Sequence, residues 1–246
     1  ETAIKTNRLK YTTNKKRVQV KRQKSQKASD PIGTRENFYS SFSTVPGYHT
    51  FEKKYSGSKC LVYCEVNSIN DLPFVGMEQC KKIGDAFEIA NPYHPSQKPI
   101  FDVVTSIFGN PWGIDENGVK INDGGNDGEE QIIILLYEGD PSIGGYFYSL
   151  DEEPKGFEDL DTGDISNGAE LINLNQLYAY DDISIFGILA HEFQHLCNYN
   201  QLFVRDGEGT NLDIDPNTDE AVFYIFDEGL SVLSEDLNGF SMKMEG

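Results

Sequence analysis

The chain has 246 residues, 38% apolar, 25% charged and 12% aromatic, with a formal net charge of −19. That length is enough for a sizeable hydrophobic core, and no apolar run approaches the roughly 18 residues that a membrane-spanning helix needs. The charge is split: residues 1–30 hold ten Lys/Arg and two acids, while the remainder holds eleven Lys/Arg and 38 acids, or about −27. So acidic a body repels phosphates and argues against specific nucleic-acid binding.

Residues 1–30 have few large apolar side chains and no sustained period. They are expected to form a basic flexible tail or linker, able to touch anionic surfaces, ahead of a folded body over 31–246. No secretory leader is visible at Glu1, so any signal or anchor segment is expected to lie outside this chain. The alternation of Cys60, Val62, Cys64 and Val66 predicts a strand over Lys59–Asn67. Four residues along a strand span about 13 Å, too far for a Cys60–Cys64 disulfide, although pairing with Cys80 stays open. Asp71 and Pro73 are expected to open a helix over about Val75–Ala90, with Met77, Ile83, Phe87 and Ile89 as its apolar positions.

After the prolines at 92, 95 and 99, Ile100–Phe108 predicts a second helix. Asn110–Glu130 is a Gly/Asn/Asp-rich loop. Gln131–Tyr137 is short, apolar and β-branched, as a buried strand requires. Gly145–Leu150 and Ala169–Leu174 predict two more strands, separated by an acidic loop over Asp151–Asp164. Asp182 can cap a helix that runs through Ile183, Phe186, Leu189, Phe193 and Leu196. A polar loop, Arg205–Asp219, leads to a last helix over about Glu220–Leu237. The order suggests a mixed sheet backed by helices, an α+β or α/β fold.

The segment that carries chemistry is LAHEFQHLC, Leu189–Cys197. His191 and His195 lie four residues apart, so on a helix both imidazoles leave the same face and can share one zinc ion. Glu192 is rotated about 100° from His191 and can reach an attacking water without binding the metal. The neighbours Ile188, Leu189, Phe193, Leu196 and Cys197 are uncharged, as a buried helix beneath a metal requires. Cys197 points elsewhere and is expected to be a core thiol. His49 and His94 have no partner pattern.

A catalytic zinc commonly takes three protein ligands. No histidine follows His195, so a downstream third ligand must be an acid. Asp206, Glu208, Asp213, Asp215 and Asp219 qualify by type. Glu228 is better placed, in a helix whose Val222, Ile225, Leu230 and Leu233 could pack on the first one. Asp227 is its nearest rival. Separately, Asp213, Asp215, Asn217 and Asp219 place hard oxygens at every second position, which suits calcium. Asp115, Asn117, Asp123 and Asp127 are fainter echoes of that spacing.

LAHEFQHLCNYNQ followed by FDEGLSVLSED resembles the hyicolysin family of secreted bacterial zinc peptidases. FGNPWGIDENG, the IIILL strand and SNGAELINLN are similar to family segments too, so the resemblance spans roughly 58–237. It implies a zincin-like domain of gluzincin type: mixed sheet, backing helix, active-site helix and glutamate helix. It also implies zinc ligation by His191, His195 and Glu228, general-base duty for Glu192, and a secreted or cell-surface location. Gluzincins commonly carry a further lobe beyond this point that supplies an oxyanion-stabilising group. Here that group is expected to be absent, to lie in a missing C-terminal region, or to come from Tyr199 or Tyr224.

The function expected on these grounds is a zinc-dependent endopeptidase acting on proteins or peptides. The competing expectation is a zinc-stabilised surface binding protein or adhesin with little catalysis. Glu192 argues against it, because a structural zinc needs no general base.

Overall fold

The computed structural model describes residues 29–94, 96–112, 130–201 and 220–240, with the side chains of the last stretch described from 226 onward. It contains one mixed sheet of six strands. In chain order these are β1 (Arg35–Ser40), β2 (Gly47–Ser56), β3 (Cys60–Glu65), β4 (Ile132–Tyr137), β5 (Gly145–Phe147) and β6 (Leu171–Asn175). Their order across the sheet is β1-β2-β3-β4-β6-β5. β3, β4 and β6 run parallel, while β1–β2, β2–β3 and β5–β6 pair antiparallel. Four α-helices accompany it: α1 (Met77–Glu88), α2 (Ile100–Phe108), α3 (Asp182–Tyr199) and α4 (Glu220–Leu237). The architecture is therefore mixed α+β.

β3 and β4 are buried along their whole length, as central parallel strands covered on both faces should be. Cys60, Val62, Cys64, Ile132, Ile134 and Leu136 face the core shared with the helices. Leu61, Tyr63, Ile133, Leu135 and Tyr137 face a second cluster closed by Phe38 of β1 and Phe51 of β2. All four cysteines are buried and free.

Several expectations need correction. β1 and β2 were not foreseen. The fully buried Lys53 donates from Nζ to the Asp30 carbonyl at 2.9 Å, and Thr34 and Gly33 continue the ladder onto Lys53. α1 runs from Met77 to Glu88, within two residues of the expected span at each end. Asp71 and Pro73 sit in a separate turn, in which Asp71 takes a positive φ of 58° and binds Arg35. Met77 and Ile89 are exposed, and Cys80 and Ala86 take the inner face with Ile83 and Phe87. The strand expected to reach Leu150 stops at Phe147, after which the chain winds into a 3-10 turn, Ser149–Glu152. The cap of α3 is Asp181, which accepts from the Ser184 N–H. Asp182 instead receives the Gln79 amide at 2.9 Å.

Residues 1–28, and the loops bearing Asp115–Asp127 and Asp213–Asp219, lie outside the described residues. Among the described residues no helix is long and apolar enough to cross a membrane.

Candidate metal centre

α3 is anchored by its apolar side. Leu189, Phe193, Leu196 and Cys197 are fully buried. The Phe193 ring lies 4.8 Å from that of Phe87 and 5.5 Å from that of Phe101. Aromatic contacts of this kind add about 0.5–1.5 kcal/mol each beyond burial. The other side of α3 carries His191 and His195, with ring centroids 4.8 Å apart.

α4 closes over that side. Leu233 is 42% exposed and Leu230 is only half-buried, while the side chains of Val222 and Ile225 lie outside the described set. Ser231 and Ser234 are the fully buried residues. Ser234 donates from Oγ to the Ala190 carbonyl of α3 at 2.8 Å. Ser231 donates back to the carbonyls of Asp227 and Glu228. Small hydroxyl residues allow two helices to approach closely and still satisfy their own polar groups.

This approach brings Glu228 to the histidines. One carboxylate oxygen lies 3.5 Å from His191 Nε2 and the other 3.8 Å from His195 Nε2. A ligand atom from each of the three residues lies within 4.8 Å of the others, and the group could hold a metal ion. The far side of each imidazole is tied down. His191 Nδ1 lies 2.7 Å from Glu235 Oε1, and His195 Nδ1 lies 2.9 Å from Asp227 Oδ2. Asn198 donates to the second Asp227 oxygen at 2.6 Å. A carboxylate on Nδ1 fixes the ring and its tautomer and leaves Nε2 for a metal. Two imidazole nitrogens and one carboxylate are a donor set that fits zinc.

The charges are strongly coupled. Burial pulls the His191 imidazolium down, but hydrogen bonds to Glu228 and then Glu235 outweigh it and hold the ring up to about 10. Burial likewise acts against charged His195, and Asp227 more than offsets it. Burial works to raise Glu228, yet the hydrogen bond to His191 and the charges of both histidines keep it below the usual carboxylate range.

Glu192 stands apart from the metal group. It is 8% exposed, and one oxygen accepts the Phe147 N–H of β5 at 2.8 Å. Burial pushes its carboxyl above the usual range, against the pull of the two histidines. β5 is the outermost strand on this side of the sheet. A Cβ on Gly145 would meet the Asn173 carbonyl at 2.7 Å and Ile188 at 2.6 Å, so the missing side chain lets β5 press against α3. The Phe147 ring contacts that of Tyr199, one turn beyond His195, at 5.6 Å.

No family model matches this chain, and no curated protein matches it either.

The structure brings His191, His195 and Glu228 together, with Glu192 beside them. Asp227, the expected rival of Glu228, lies behind His195 on Nδ1. Asp206, Glu208, Asp213, Asp215, Asn217 and Asp219 lie outside the described residues, and so does the side chain of Tyr224. Glu235, Asn198 and the Phe147 N–H were not foreseen. Glu235 left a trace in the sequence: it is seven residues, two helical turns, past Glu228 and so shares its face. His49, given no role, lies 2.7 Å from the buried Glu65, which raises its pKa through their hydrogen bond.

Proposed function

We propose that this chain is a zinc-dependent endopeptidase of gluzincin type, related to the hyicolysin peptidases and acting outside the cell or at its surface. The observation that carries the reading is the convergence of His191, His195 and Glu228 while the fourth carboxylate of the site after Asp227, Glu228 and Glu235, the buried Glu192, is held just outside that group. A merely structural metal would have no use for the fourth carboxylate.

Zinc bound there would act as a Lewis acid and make water acidic enough to lose a proton near neutral pH. The rest falls to the protein. Glu192 takes the proton of the attacking water and returns it to the leaving amine. Its raised pKa suits a group that must both accept and donate. Asp227 and Glu235 keep both imidazoles in one orientation through the cycle. The outer edge of β5 can pair with an extended peptide beside Glu192. We read the mixed sheet with α3 and α4 as a zincin-like domain on the same grounds. Calcium at Asp213, Asp215, Asn217 and Asp219 is a subsidiary proposal that rests on sequence spacing alone.

The test is Glu192→Gln. The substitution keeps size and the capacity to accept the Phe147 N–H, but it cannot carry the proton. Zinc content and fold should be unchanged, while chelator-sensitive peptide cleavage should fall by roughly 10²–10⁴. An active parent whose Glu192→Gln variant cleaves at the same rate refutes the mechanism.

A further inference from the structure

Asp227, Glu228 and Glu235 each contact an imidazole of the metal group, and Glu192 is held beside it by the β5 backbone. Among the described residues none of them has a Lys or Arg partner; their partners are histidines, Asn198 and backbone. With both histidines neutral, Asp227, Glu228 and Glu235 against one divalent ion leave the centre at about −1 without counting Glu192, and this is not cancelled locally. Asp227, Glu228 and Glu235 keep 23–25% of their side chains open to solvent, so this charge is felt at the surface around the group.

The surroundings add the same sign. The described side chains of α4 include the further acid Asp236 and no Lys or Arg. Several described cations are engaged elsewhere: Arg35 with Asp71 and Glu52, Lys54 with Glu52, Lys81 with Asp85, and Lys53 with the Asp30 carbonyl.

We infer that the centre selects cationic polypeptide, with Lys- or Arg-bearing segments preferred over neutral ones and acidic segments excluded. The inference rests on the peptide-cleaving reading for its substrate class but not for its charge order. A cleft lined by one sign of charge concentrates the opposite sign and speeds encounter by roughly 10 to 10³. The Debye length falls from about 10 Å at 0.1 M salt to about 3 Å at 1 M, so the preference should fade as salt rises.

The experiment uses the full chain, zinc-loaded, as the Glu192→Gln variant, so that peptides bind without being consumed. Three fluorescently labelled peptides share one apolar core and differ only in flanking Lys, Gln or Glu. Anisotropy at low salt should rank affinity Lys, then Gln, then Glu, with about tenfold per step. The gaps should shrink in high salt, and a small zinc-directed hydroxamate should displace the Lys peptide. Equal or reversed affinities overturn the inference, as does failure of all three peptides to bind. A Lys peptide that stays bound under saturating hydroxamate also overturns it, because it is then adsorbed elsewhere on the acidic body. The same peptides offered to the unsubstituted protein separate the two claims. Cleavage without charge order sinks this inference and leaves the peptidase reading standing. Displaceable, charge-ordered binding without cleavage does the reverse.

Discussion

Asp227 places one carboxylate oxygen 2.9 Å from His195 Nδ1, although it is the neighbour in sequence of Glu228, whose carboxylate approaches the opposite nitrogen of the same ring. Adjacent residues on one helix thus hold the two ends of a single imidazole. The pair accounts for a division of labour that residue type alone leaves ambiguous.

Glu228→Ala should therefore abolish tight zinc binding, whereas Asp227→Ala and Glu235→Ala should each weaken it by about 10- to 100-fold. Competition against a chelator of known affinity measures all three. Equal losses at Asp227 and Glu228, or a larger loss at Asp227, would reassign the third ligand.

Zinc loading should release protons. His191 is held up to about 10 and His195 is raised as well, yet a metal needs both Nε2 atoms unprotonated. Calorimetry near pH 7 in buffers of different ionisation enthalpy should report about one to two protons released, and apparent affinity should climb with pH. The metal-free protein follows the linkage of a raised histidine. That contribution to stability is complete below the ordinary histidine value of about 6.5 and is lost as pH rises toward about 10. Its thermal midpoint should fall across that window, and that of the zinc-loaded protein should not. Zinc uptake with no proton release would contradict the charge state assigned to the free site.

Gly145→Ala should cost about 1–3 kcal/mol in stability and should lower any peptidase activity. The new methyl would meet the Asn173 carbonyl at 2.7 Å and lie 3.2 Å from Glu192 Cγ, so β5 has to move. Chemical unfolding measures the first effect. Unchanged stability would mean that β5 is loosely held.

The four thiols should be inert in the folded protein. Cys60, Cys64, Cys80 and Cys197 are fully buried. Burial pushes Cys64 up to about 11 and raises the others too. A thiol reagent should find no rapid equivalents near pH 8 and four after denaturation. Rapid native labelling would expose an error in the packing of β3, α1 or α3.

What the sequence made legible was mostly local. The apolar run Ile132–Tyr137, the helix Ile100–Phe108 and the four-residue histidine spacing each state their structure within one short window. β1 and β2 do not. GYHTFEKKYS is half polar and even buries Lys53, and its strand state depends on partners that place Phe38 against Phe51 and Tyr63. The inner face of α1 was misjudged for a related reason: Cys80 and Ala86 are small enough to lie against the sheet, and that selection happens only on packing. In the candidate centre, His191 and His195 could be picked by spacing and Glu228 by its place on a helix among several acids of the right type, while Glu235 and Asn198 required knowing which turn of α4 meets which turn of α3.

The two buried serines between α3 and α4 give the centre an unusual point of control. The gap that Glu228 must bridge is set by side chains that touch no ligand atom, much as shim thickness sets the clearance of a bearing. Widening Ser234 to leucine would wedge the helices apart and withdraw a ligand whose own chemistry is untouched. Narrowing either position to alanine would leave the spacing nearly as it is and remove only the hydroxyl hydrogen bonds. Metal retention is then, in part, a matter of helix spacing, and variation at two inert positions could tune it by degrees.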